Sequence, residues 1–556
     1  MIRNRSHVRM LNRRLRDAHE GVTQPPPASA DHGQGRTVHR SAMATAAAPA
    51  VRARVAPPVH VELPEDFDLS IFDSPAFLAD PFDKPAPFDG EAKLEPVVAD
   101  AGETGATRDR APALAVAGPV IDRPTRYGKL LGPLLRFVAF TYLCVIVIGV
   151  VVYKAAFIQM LTIDPFFAAY GLLVSGYIVS RFAISLFYRP AKPAGIEPHV
   201  AIVMPAFNEE AAIAQSLRSL LALDYPAHKL QIVAINDGSA DGTLRELNTV
   251  AAHANGRVHV IDFPENRGKR AAMAAGIRAT DAEIVAFVDS DSVLEEDAMR
   301  ILVQGFADER VGAICGHADV LNIRGTWLTR MQAVRYFVAF KVIKAAESVF
   351  NAVTCCSGCF SAYRREAIVP HLDWWENQMF LGIESTFGDD RSLTNCVLRE
   401  WKVTYEEKAV SHTIVPETFQ QFMKQQTRWK RSWTRESLIV AKFIWRKHPF
   451  AAAATYISVF LPLLAPIAAL RAVIWEPVMH GTGAPVVYIL GIYAIALVYG
   501  LYFALRQRRY DTLWLSGILF VFFYLAFLLW QTYYAILTSR TRSWGTRAAQ
   551  PAEVTA

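Results

Sequence analysis

A pair of carboxylates one residue apart is the first feature of this chain that suggests chemistry. Asp289 and Asp291 follow directly on the apolar run Ile284–Val288, which has the length and composition of a buried strand. Magnesium and manganese ions are commonly held by one or two carboxylates together with phosphate oxygens of a substrate. The pair therefore indicates a site for Mg²⁺ or Mn²⁺, but a DxD sequence alone is common by chance and needs support from other residues.

Further polar residues stand where neighbouring apolar runs end. They are Asn208 and Glu209, Asp237, and Lys269. Asp237 offers an acceptor for a base or a ribose, and Lys269 brings a cation to a predicted helix start, where anions are favoured. Each also has a plainer explanation: Asp237 is typical of an Asx turn with an N-cap, and Lys269 of a basic surface turn.

The elements that must position these residues alternate in type. The strand-like runs are Val200–Met204, Leu230–Ile235, Val258–Asp262 and Ile284–Val288, and the helical runs between them are Glu210–Leu221, Gly242–His253 and Gly268–Ala279. This β-α-β-α rhythm predicts an α/β fold with a mostly parallel sheet covered by helices on both faces. Ligands bind outside the carboxyl ends of such strands. Carboxylates after three strands of one sheet therefore predict a cleft rather than a solvated surface.

Four motifs in this order carry a family resemblance. Pro205–Glu210, Asn236–Ser239, Asn266–Lys269 and Asp289–Asp291 resemble the donor site of family-2 glycosyltransferases, which have the Rossmann-like GT-A fold. The resemblance implies a UDP-sugar donor and inversion at the anomeric carbon. It also implies that Asn208, Glu209, Asp237, Lys269 and Asp289 contact the nucleotide and that Asp291 holds the metal.

A second acidic sequence, Phe387–Arg391, supplies the carboxylates Asp389 and Asp390. Sugar transfer needs one base, which takes the proton from the acceptor hydroxyl as it attacks. Motif alignment with the family assigns Asp390 to this role and places Asp389 and Arg391 near the acceptor. The alternative is an acidic helix N-terminus that complements the helix dipole.

Gln425, Gln426, Arg428 and Trp429 form the QxxRW sequence of processive members of this family. The resemblance implies that Arg428 reaches the diphosphate and that Trp429 stacks on a sugar or closes the acceptor channel. The two glutamines belong to the same acceptor end of the site.

A narrower resemblance comes from Asn377–Gly382 and Thr386–Asn395, which are most similar to hyaluronan synthases, with rhizobial chitin-oligosaccharide synthases as near relatives. Cys355, Ser357 and Gly358 match their Cys-x-Ser-Gly stretch near the acceptor sugar. Cys359 departs from the pattern, because hyaluronan synthases usually carry proline there, and this puts acceptor specificity in doubt. Reading the cysteine cluster as a metal site is disfavoured, since no second cysteine pair or suitably spaced histidine accompanies it.

The composition of the whole chain points to a membrane. Of 556 residues, 52% are hydrophobic and only 20% are charged, and the net charge of +6 gives no indication of nucleic-acid binding. Five apolar runs are close to the roughly 20 residues that span a bilayer. They are Phe137–Tyr153, Phe166–Tyr188, Phe450–Trp475, Val486–Leu505 and Leu513–Leu537. A soluble single domain, a fibre and a disordered chain are therefore unlikely descriptions, and we expect a multi-pass protein of the cell membrane.

Lysine and arginine near the ends of these runs predict that the domain between the second and third runs is cytoplasmic. The residues are Arg181, Arg189, Lys192, Arg446, Lys447, Arg506, Arg508 and Arg509. Five crossings would leave the C-terminus outside, whereas the arginines after position 539 favour the inside. A broken or re-entrant third run, containing Pro462 and Pro466, would remove this conflict. The sequence leaves both topologies open.

Two stretches mix apolar residues with cations as interfacial helices do. Phe419–Trp445 contains the QxxRW sequence, and Trp327–Ala345 spaces its apolar residues three or four positions apart with cations between them. A buried helix of the soluble domain would also explain the second stretch. We favour the interface for both because so many cations lie beside membrane spans.

These observations predict five regions. They are a disordered Ala/Pro-rich tail (1–130), two transmembrane helices (131–189), a GT-A domain (190–449) with interfacial helices at about 326–346 and 416–446, about three transmembrane helices (450–538) and a C-terminal tail (539–556). The acidic and aromatic segment Phe67–Phe72 is either a solvated linker or a docking peptide. The six cysteines are too few for a disulfide scaffold, so reduced thiols are expected.

The resulting hypothesis is a membrane-embedded, processive, inverting glycosyltransferase that uses UDP-sugars and extrudes a growing β-linked polysaccharide, hyaluronan-like or chitin-like, through the lipid bilayer. A non-processive enzyme that makes a short oligosaccharide or a glycolipid is the alternative within the same chemistry. An inactive membrane receptor is the alternative from another class, but Asp291, Asp390 and Arg428 are all present. The sugar, the number of donors and the oligomeric state stay open.

Overall fold

The computed structural model describes residues 165–481, 484–507 and 512–540, which belong to one compact unit. The apolar run Phe137–Tyr153, the segment Phe67–Phe72 and the C-terminal residues 541–556 lie outside the described residues, so the predictions made for them stay predictions.

An eight-stranded sheet forms the centre of the domain. The strands are β1 Val200–Ala206, β2 Leu230–Asp237, β3 Val258–Phe263, β4 Ile284–Phe287, β5 Ser292–Leu294, β6 Val311–Val320, β7 Ser361–Arg364 and β10 Lys402–Thr413, with a separate hairpin of β8 Met379–Phe380 and β9 Ile383–Glu384. Their order is β3-β2-β1-β4-β7-β6-β10-β5. Strands β7 and β5 run antiparallel to their neighbours, and the other pairs are parallel.

Helices cover the sheet and continue into an apolar region. They are α1 Pro165–Ser185, α2 Ile213–Leu221, α3 Thr243–Ala252, α4 Lys269–Arg278, α5 Ala298–Val303, α6 Trp327–Val338, α7 Ala345–Val349, α8 Arg365–Ile368, α9 Leu372–Glu376, α10 Asp389–Glu400, α11 Phe419–Ala441, α12 Pro449–Leu470, α13 Glu476–His480, α14 Ala484–Gln507, α15 Leu515–Phe523 and α16 Gln531–Leu537. Short π-helical segments, Ala339–Lys344, Arg471–Trp475 and Tyr524–Leu528, join some of them.

The central strands are apolar on both faces, as strands of a parallel sheet covered by helices must be. Every residue of β1 is buried. Ile202 and Met204 pack into one core with Leu217 of α2, whereas Val203, between them, packs into a second core with Met273 of α4. The alternation follows from the two-residue period of a strand. The predicted α/β class with a mostly parallel sheet is confirmed.

The predicted elements appear in the predicted order, with shifted ends. Strand β2 continues through Asn236 and Asp237, which the sequence placed after it, because both residues keep parallel pairing with β3. Helix α2 begins at Ile213 rather than at Glu210, since the backbone at Glu209 to Ala212 forms a turn first.

Two helices among the described residues, Ala168–Ser185 and Pro449–His480, are long and apolar enough to cross a membrane by length and composition. A third candidate is the pair Leu515–Leu528 and Gln531–Leu537, which is bent by 42°. Helix α14 contributes the shorter apolar stretch Tyr488–Ala504. The second, third and fifth predicted runs thus correspond to candidate spans.

Of the two arrangements that the sequence left open for the third run, the structure does not show the one with a break at Pro462 and Pro466. Helix α12 passes through both prolines and continues through a π-helical segment into α13. Each proline removes a single backbone donor, which a helix packed among other helices can tolerate. The bend lies in the last apolar segment instead, at residues 529–530, directly after the π-helical segment Tyr524–Leu528.

Helices α6 and α11 lie between the sheet domain and the apolar helices. Leu328 and Met331 of α6 form a buried cluster with Phe422 of α11 and with Phe523 and Leu528 of the last apolar segment. The apolar face of α6 is thus buried within the protein, while Trp327 at its start is 55% exposed. Thr326 begins α6 with a reciprocal capping box to Thr329, which fixes where the helix starts.

Candidate active site

A cleft of about 1470 Å³ lies at the carboxyl ends of the central strands. Of the residues predicted from sequence, all except Asn208 line it: Glu209, Asp237, Lys269, Asp289, Asp291, Cys355, Ser357, Gly358, Asp389, Asp390, Arg391, Gln425, Gln426, Arg428 and Trp429. The fold therefore brings together motifs that are up to about two hundred residues apart, as predicted for the edge of a parallel sheet.

Asn208 shapes the wall of the cleft without lining it. Its φ of 52° lies in the left-handed region, which asparagine tolerates better than most residues. Its Oδ1 accepts from the Ala240 N–H at 2.9 Å, and its own N–H donates to Ser239 Oγ at 3.0 Å. In this structure Asn208 ties the end of β1 to the loop after β2, so the prediction that it contacts the nucleotide finds no geometric support here.

Asp237 is the last residue of β2 and lines the cleft. Its Oδ1 accepts from the Arg267 N–H at 2.7 Å, and its Oδ2 accepts from the Gly268 N–H at 3.0 Å and from Asn266 Nδ2 at 3.1 Å. Burial raises the pKa of Asp237 to about 6, although these backbone hydrogen bonds oppose the shift. The carboxyl group thus holds the loop before α4 in place while it lines the cleft.

The two carboxylates predicted to hold a metal, Asp289 and Asp291, lie beside Lys269. Lys269 Nζ donates to Asp289 Oδ1, and the Asp289 N–H donates to the Gly358 carbonyl at 3.0 Å. A Cβ on Gly358 would lie 3.0 Å from both carboxylate oxygens of Asp289, so this glycine allows the close approach. Burial and then the Asp289 charge raise the pKa of Asp291.

A buried carboxyl group whose pKa is raised by a neighbouring carboxylate, as that of Asp291 is, favours a bound cation beside the pair. Among the described residues no group of three or more His, Cys, Asp or Glu side chains could hold a metal. Asp289 and Asp291 therefore fit an ion such as Mg²⁺, which takes one or two carboxylates and leaves its other positions to water and phosphate oxygens. They do not fit a metal held by protein ligands alone.

The adjacent carboxylates at the start of α10 have different environments. Asp389 is buried, and its Oδ1 accepts from Arg270 Nε at 3.0 Å. Asp390 faces the cleft, where its Oδ1 accepts from the Arg391 N–H at 2.8 Å and its Oδ2 lies 3.7 Å from Cys355 Sγ. Burial, and then the Asp390 charge, raise the pKa of Cys355 to about 12, so the thiol stays protonated and donates.

Helix α11 presents the QxxRW residues to the same cleft. Burial lowers the pKa of Arg428, while the charges of Asp389, Asp390 and Asp289 oppose this shift. The Arg428 guanidinium therefore lies in the field of the carboxylates on the other wall. Gln426 accepts a hydrogen bond from Arg335 of α6, which also stacks over the Trp429 ring.

Several lining residues were not assigned from sequence. They are Arg335 of α6, Lys344 of the π-helical segment after it, Thr413 of β10, and Pro462, Tyr524 and Thr532 of the apolar helices. Arg335 and Lys344 belong to the stretch for which a membrane interface was favoured, and their interruption of its apolar face was the available signal. Pro462, Tyr524 and Thr532 could not be predicted, because the local sequence of an apolar helix does not indicate that the helix borders a cleft.

Gly388 directly precedes α10 and packs against Ser432 of α11. Replacing it therefore tests how closely the start of α10 approaches α11. Its φ of 82° is left-handed, and a Cβ there would overlap Ser432 Oγ. We expect Gly388→Ala to destabilise the protein by about 2 kcal/mol or more, from backbone strain and steric overlap together. Thermal unfolding of purified protein measures the effect.

Gly256→Ala is the matched control, because Gly256 also has a positive φ, of 75°, but has nothing within 4 Å of the added Cβ. The excess destabilisation of Gly388→Ala should shrink when Ser432→Ala is added. Equal melting temperatures for the two glycine variants would contradict the close contact of α10 with α11.

A mostly parallel sheet with a carboxylate-lined cleft at the carboxyl ends of its strands is the architecture of the GT-A fold class. The model of the family described as "Glycosyl transferase family 2" matches residues 201–370. The hyaluronan synthase of Streptococcus pyogenes is 32% identical over 386 residues, which cover 68% of this chain and 90% of that protein. The chain therefore belongs to glycosyl transferase family 2 and is a glycosyltransferase.

Two further relatives in sequence agree with this assignment. The N-acetylglucosaminyltransferase of Azorhizobium caulinodans is 33% identical over 284 residues, covering 50% of this chain and 71% of that protein. The N-acetylglucosaminyltransferase of Rhizobium meliloti is 34% identical over 294 residues, covering 51% and 68%. Among solved structures, the mannosyltransferase PcManGT of Pyrobaculum calidifontis, in complex with GDP-Man and Mn²⁺, is similar with a TM-score of 0.46 and 19% identity, covering 65% of this chain and 99% of that one. The family resemblance inferred from the motifs is confirmed.

Proposed function

We propose that this chain is a processive, inverting polysaccharide synthase that polymerises sugars from UDP-sugar donors into a β-linked polymer and passes it across a membrane. One observation carries the proposal: the cleft that contains the donor-side carboxylates and Asp390 extends without interruption to Pro462, Tyr524 and Thr532 of the apolar helices. A saccharide held at Asp390 thus has a path from the reacting end toward those helices.

At the donor end, Glu209, Asp237 and Asp289 would receive the nucleoside, and Lys269 the diphosphate. Lys269 supports this role because Asp289 and its hydrogen bond raise the Lys269 pKa even though burial alone would lower it, so the side chain stays cationic. A phosphate can then replace Asp289 as its partner. Asp291, with Asp289, would hold Mg²⁺ or Mn²⁺, and the ion when bound would neutralise charge on the diphosphate.

In the proposed transfer step Asp390 is the base, because Asp390 faces the cleft whereas Asp389 is buried and paired with Arg270. Asp390 accepts the proton of the acceptor hydroxyl, whose oxygen forms a bond to the anomeric carbon of the donor sugar. The bond from that carbon to the UDP oxygen breaks, and its electron pair leaves with UDP. Attack from the face opposite the leaving group inverts the configuration. Arg428 faces this region and would stabilise the negative charge that develops on the diphosphate.

At the acceptor end, Trp429 offers a ring face for a sugar, and Cys355, Ser357 and Gly358 line the wall near Asp390. Gln425, Gln426 and Arg391 supply polar groups along the same wall. These contacts would keep the polymer bound between additions, which is what processivity requires. We further propose that the sheet domain is cytoplasmic and that helices α1, α12 and α14–α16 belong to the membrane part.

Incorporation of radiolabelled sugar by purified protein in nanodiscs tests the proposal. The donors are UDP-N-acetylglucosamine alone, UDP-glucuronate alone, both together, and UDP-glucose, each with Mn²⁺ or Mg²⁺. High-molecular-weight product only with the first two donors together would indicate a hyaluronan-type polymer, and product from UDP-N-acetylglucosamine alone a chitin-type one. Only short products would favour the non-processive alternative, and no Asp390-dependent transfer from any donor would overturn the proposal.

Removal of the divalent ion gives a separate prediction. We expect a chelator to abolish transfer and Mn²⁺ to restore it. Asp291→Asn should raise the Mn²⁺ concentration for half-maximal rate by about tenfold or more, which corresponds to about 1.4 kcal/mol of lost ion binding. The control is Asp281→Asn, because the Asp281 side chain is fully exposed and is not among the residues that line the cleft. Identical Mn²⁺ titrations for Asp291→Asn and the unmodified protein would contradict the metal assignment.

A further inference from the structure

Arg335 occupies an unusual position in the cleft wall. It comes from the last turns of α6, and its Nη1 donates to Gln426 Oε1 at 2.6 Å. Its guanidinium carbon lies 5.4 Å from the centre of the Trp429 ring and 5.6 Å from that of Phe520, a residue of the apolar helix α15. Arg335 therefore stands where the QxxRW helix meets the apolar helices.

The charge of Arg335 is not balanced by a carboxylate. None of the ion pairs among the described residues includes it, whereas the buried Arg270 and Arg435 pair with Asp389 and Glu436. Burial lowers the pKa of Arg335, and only tyrosines oppose the shift. An arginine stays protonated nonetheless, so the structure keeps at this point a cation that has no carboxylate partner among the described residues.

A second cation makes the same corner more positive. Lys430 of α11 donates to the Leu528 carbonyl and to Thr532 Oγ1. Burial, and then the Arg335 charge, lower the Lys430 pKa to about 7. Two positive groups that repel one another in the wall of a cleft raise the free energy of the folded protein unless an anionic ligand neutralises them.

Arg335 has the geometry to bind such a ligand. A guanidinium carries five N–H donors in a planar fork. In the structure Gln426 accepts from one of its nitrogens, and the residue lines the cleft, so donors remain for a ligand. Paired oxygens of a carboxylate or a phosphate match this fork.

We propose that Arg335 is an oxyanion-binding residue of the cleft, at the end where it meets the apolar helices. The inference rests on the proposed function and extends it to a residue outside the QxxRW sequence. The oxyanion that Arg335 binds has two candidate sources: the diphosphate of UDP, or the carboxylate of an acidic sugar in the bound polymer. The Arg335 guanidinium lies over the rings of Trp429 and Phe520. Arg335 is therefore part of the end of the cleft that is proposed above to bind the acceptor.

Binding measurements separate the two sources without requiring turnover. Isothermal titration of the full chain in nanodiscs would use UDP, chitotetraose, and a tetrasaccharide that alternates glucuronate with N-acetylglucosamine. We expect Arg335→Gln to weaken one anionic ligand at least about tenfold, the scale of one lost charge-assisted hydrogen bond. Chitotetraose, which is neutral, should bind as before. Arg335→Lys keeps the charge but loses the fork, and should weaken the same ligand by a smaller factor.

Arg330→Gln is the matched control, because Arg330 belongs to the same helix and is exposed. A loss confined to UDP identifies the diphosphate as the source, and a loss confined to the acidic tetrasaccharide identifies the carboxylate. Unchanged affinity for both, in Arg335→Gln and in Arg335→Lys, overturns the inference. Failure of the proposed function gives a different result, in which the unmodified protein itself neither binds UDP nor transfers sugar.

Thermal unfolding guards against a purely structural explanation. If Arg335 binds a ligand, its removal relieves an unbalanced charge, and the melting temperature without ligand should stay the same or rise. A lower melting temperature together with an equal loss for all three ligands would show that Arg335 only supports the packing of α6 on α11, and would overturn the inference.

Discussion

Asp390→Asn is expected to lower the rate of sugar transfer by about 10²- to 10⁴-fold, the usual contribution of a positioned general base. Asparagine has nearly the same shape and can still accept the Arg391 N–H through its amide oxygen, so the start of α10 should be preserved. What it cannot do is accept the acceptor's proton at neutral pH. The loss should therefore appear in kcat, with little change in UDP affinity.

Initial rates of sugar incorporation and titration with UDP check this prediction on one preparation. Asp389→Asn is the informative comparison, because it changes a carboxylate one residue away that is buried against Arg270. We expect Asp389→Asn to lower the melting temperature and Asp390→Asn to leave it nearly unchanged. An Asp390→Asn variant that keeps more than about a tenth of the rate would be incompatible with the role of a general base.

The contrast between these neighbours illustrates what the sequence could and could not predict. The βαβ rhythm and the positions of most site residues were predictable, because the carboxyl ends of parallel strands meet at one edge. The distinction between Asp389 and Asp390 depended on motif alignment. Its physical cause is Arg270, which lies 119 residues earlier in the chain and shares no local pattern with Asp389.

Asn208 shows a different limit of sequence reasoning. This polar residue after a strand was predicted to contact the nucleotide, and in the structure its side chain holds the neighbouring loop through Ala240. Both uses look the same in sequence, because asparagine is favoured in turns and in binding sites alike. For the stretch Trp327–Ala345, which contains Arg335, the sequence favoured a membrane interface and left a buried helix open for a related reason: the periodicity of a helix identifies its apolar face but does not say what covers that face.

The sequence could not locate the bend in the apolar region. The prolines of the third run offered one place for it, but α12 remains continuous through both, although each removes a hydrogen bond and crowds the carbonyl four residues earlier. The bend after the π-helical segment Tyr524–Leu528 coincides with contacts from α11. Gln531 donates to the Met423 carbonyl and to Thr427 Oγ1, and Lys430 donates to the Leu528 carbonyl. The break is thus stabilised by tertiary contacts.

A buried polar network connects the donor loop to α10 and α11. Arg270, the residue after Lys269, donates to Asp389, to the Trp375 carbonyl at 2.9 Å and to Gln378 Oε1 at 3.0 Å. Gln378 in turn donates to Glu436 Oε1 at 3.3 Å. Arg435, paired with Glu436, donates to the carbonyl of Phe387, two residues before Asp389. These bonds fix the start of α10, and with it the direction of Asp390.

Arg270→Met should therefore have the largest effect on stability. It leaves the Asp389 carboxylate buried without its countercharge, and breaking a buried pair from one side typically costs about 3–5 kcal/mol. For a domain of this size we expect the melting temperature to fall by roughly 10 °C. Because Asp390 follows Asp389 directly, kcat should fall as well, even at temperatures where the variant remains folded.

The matched control lies on the same helix. Like Arg270, Arg278 forms ion pairs, in its case with Asp373 and Glu376, but its side chain is about one-third exposed. Arg278→Met should therefore lower the free energy of unfolding by only about 0–1 kcal/mol. Adding Asp389→Asn to Arg270→Met should recover part of the lost stability, since the neutral amide removes the stranded charge, and a double-mutant cycle then measures the coupling. It should not recover kcat fully, because Asp390 would still lack the contacts that orient α10. Equal melting temperatures for Arg270→Met and Arg278→Met would mean that the network does not hold the start of α10 in place.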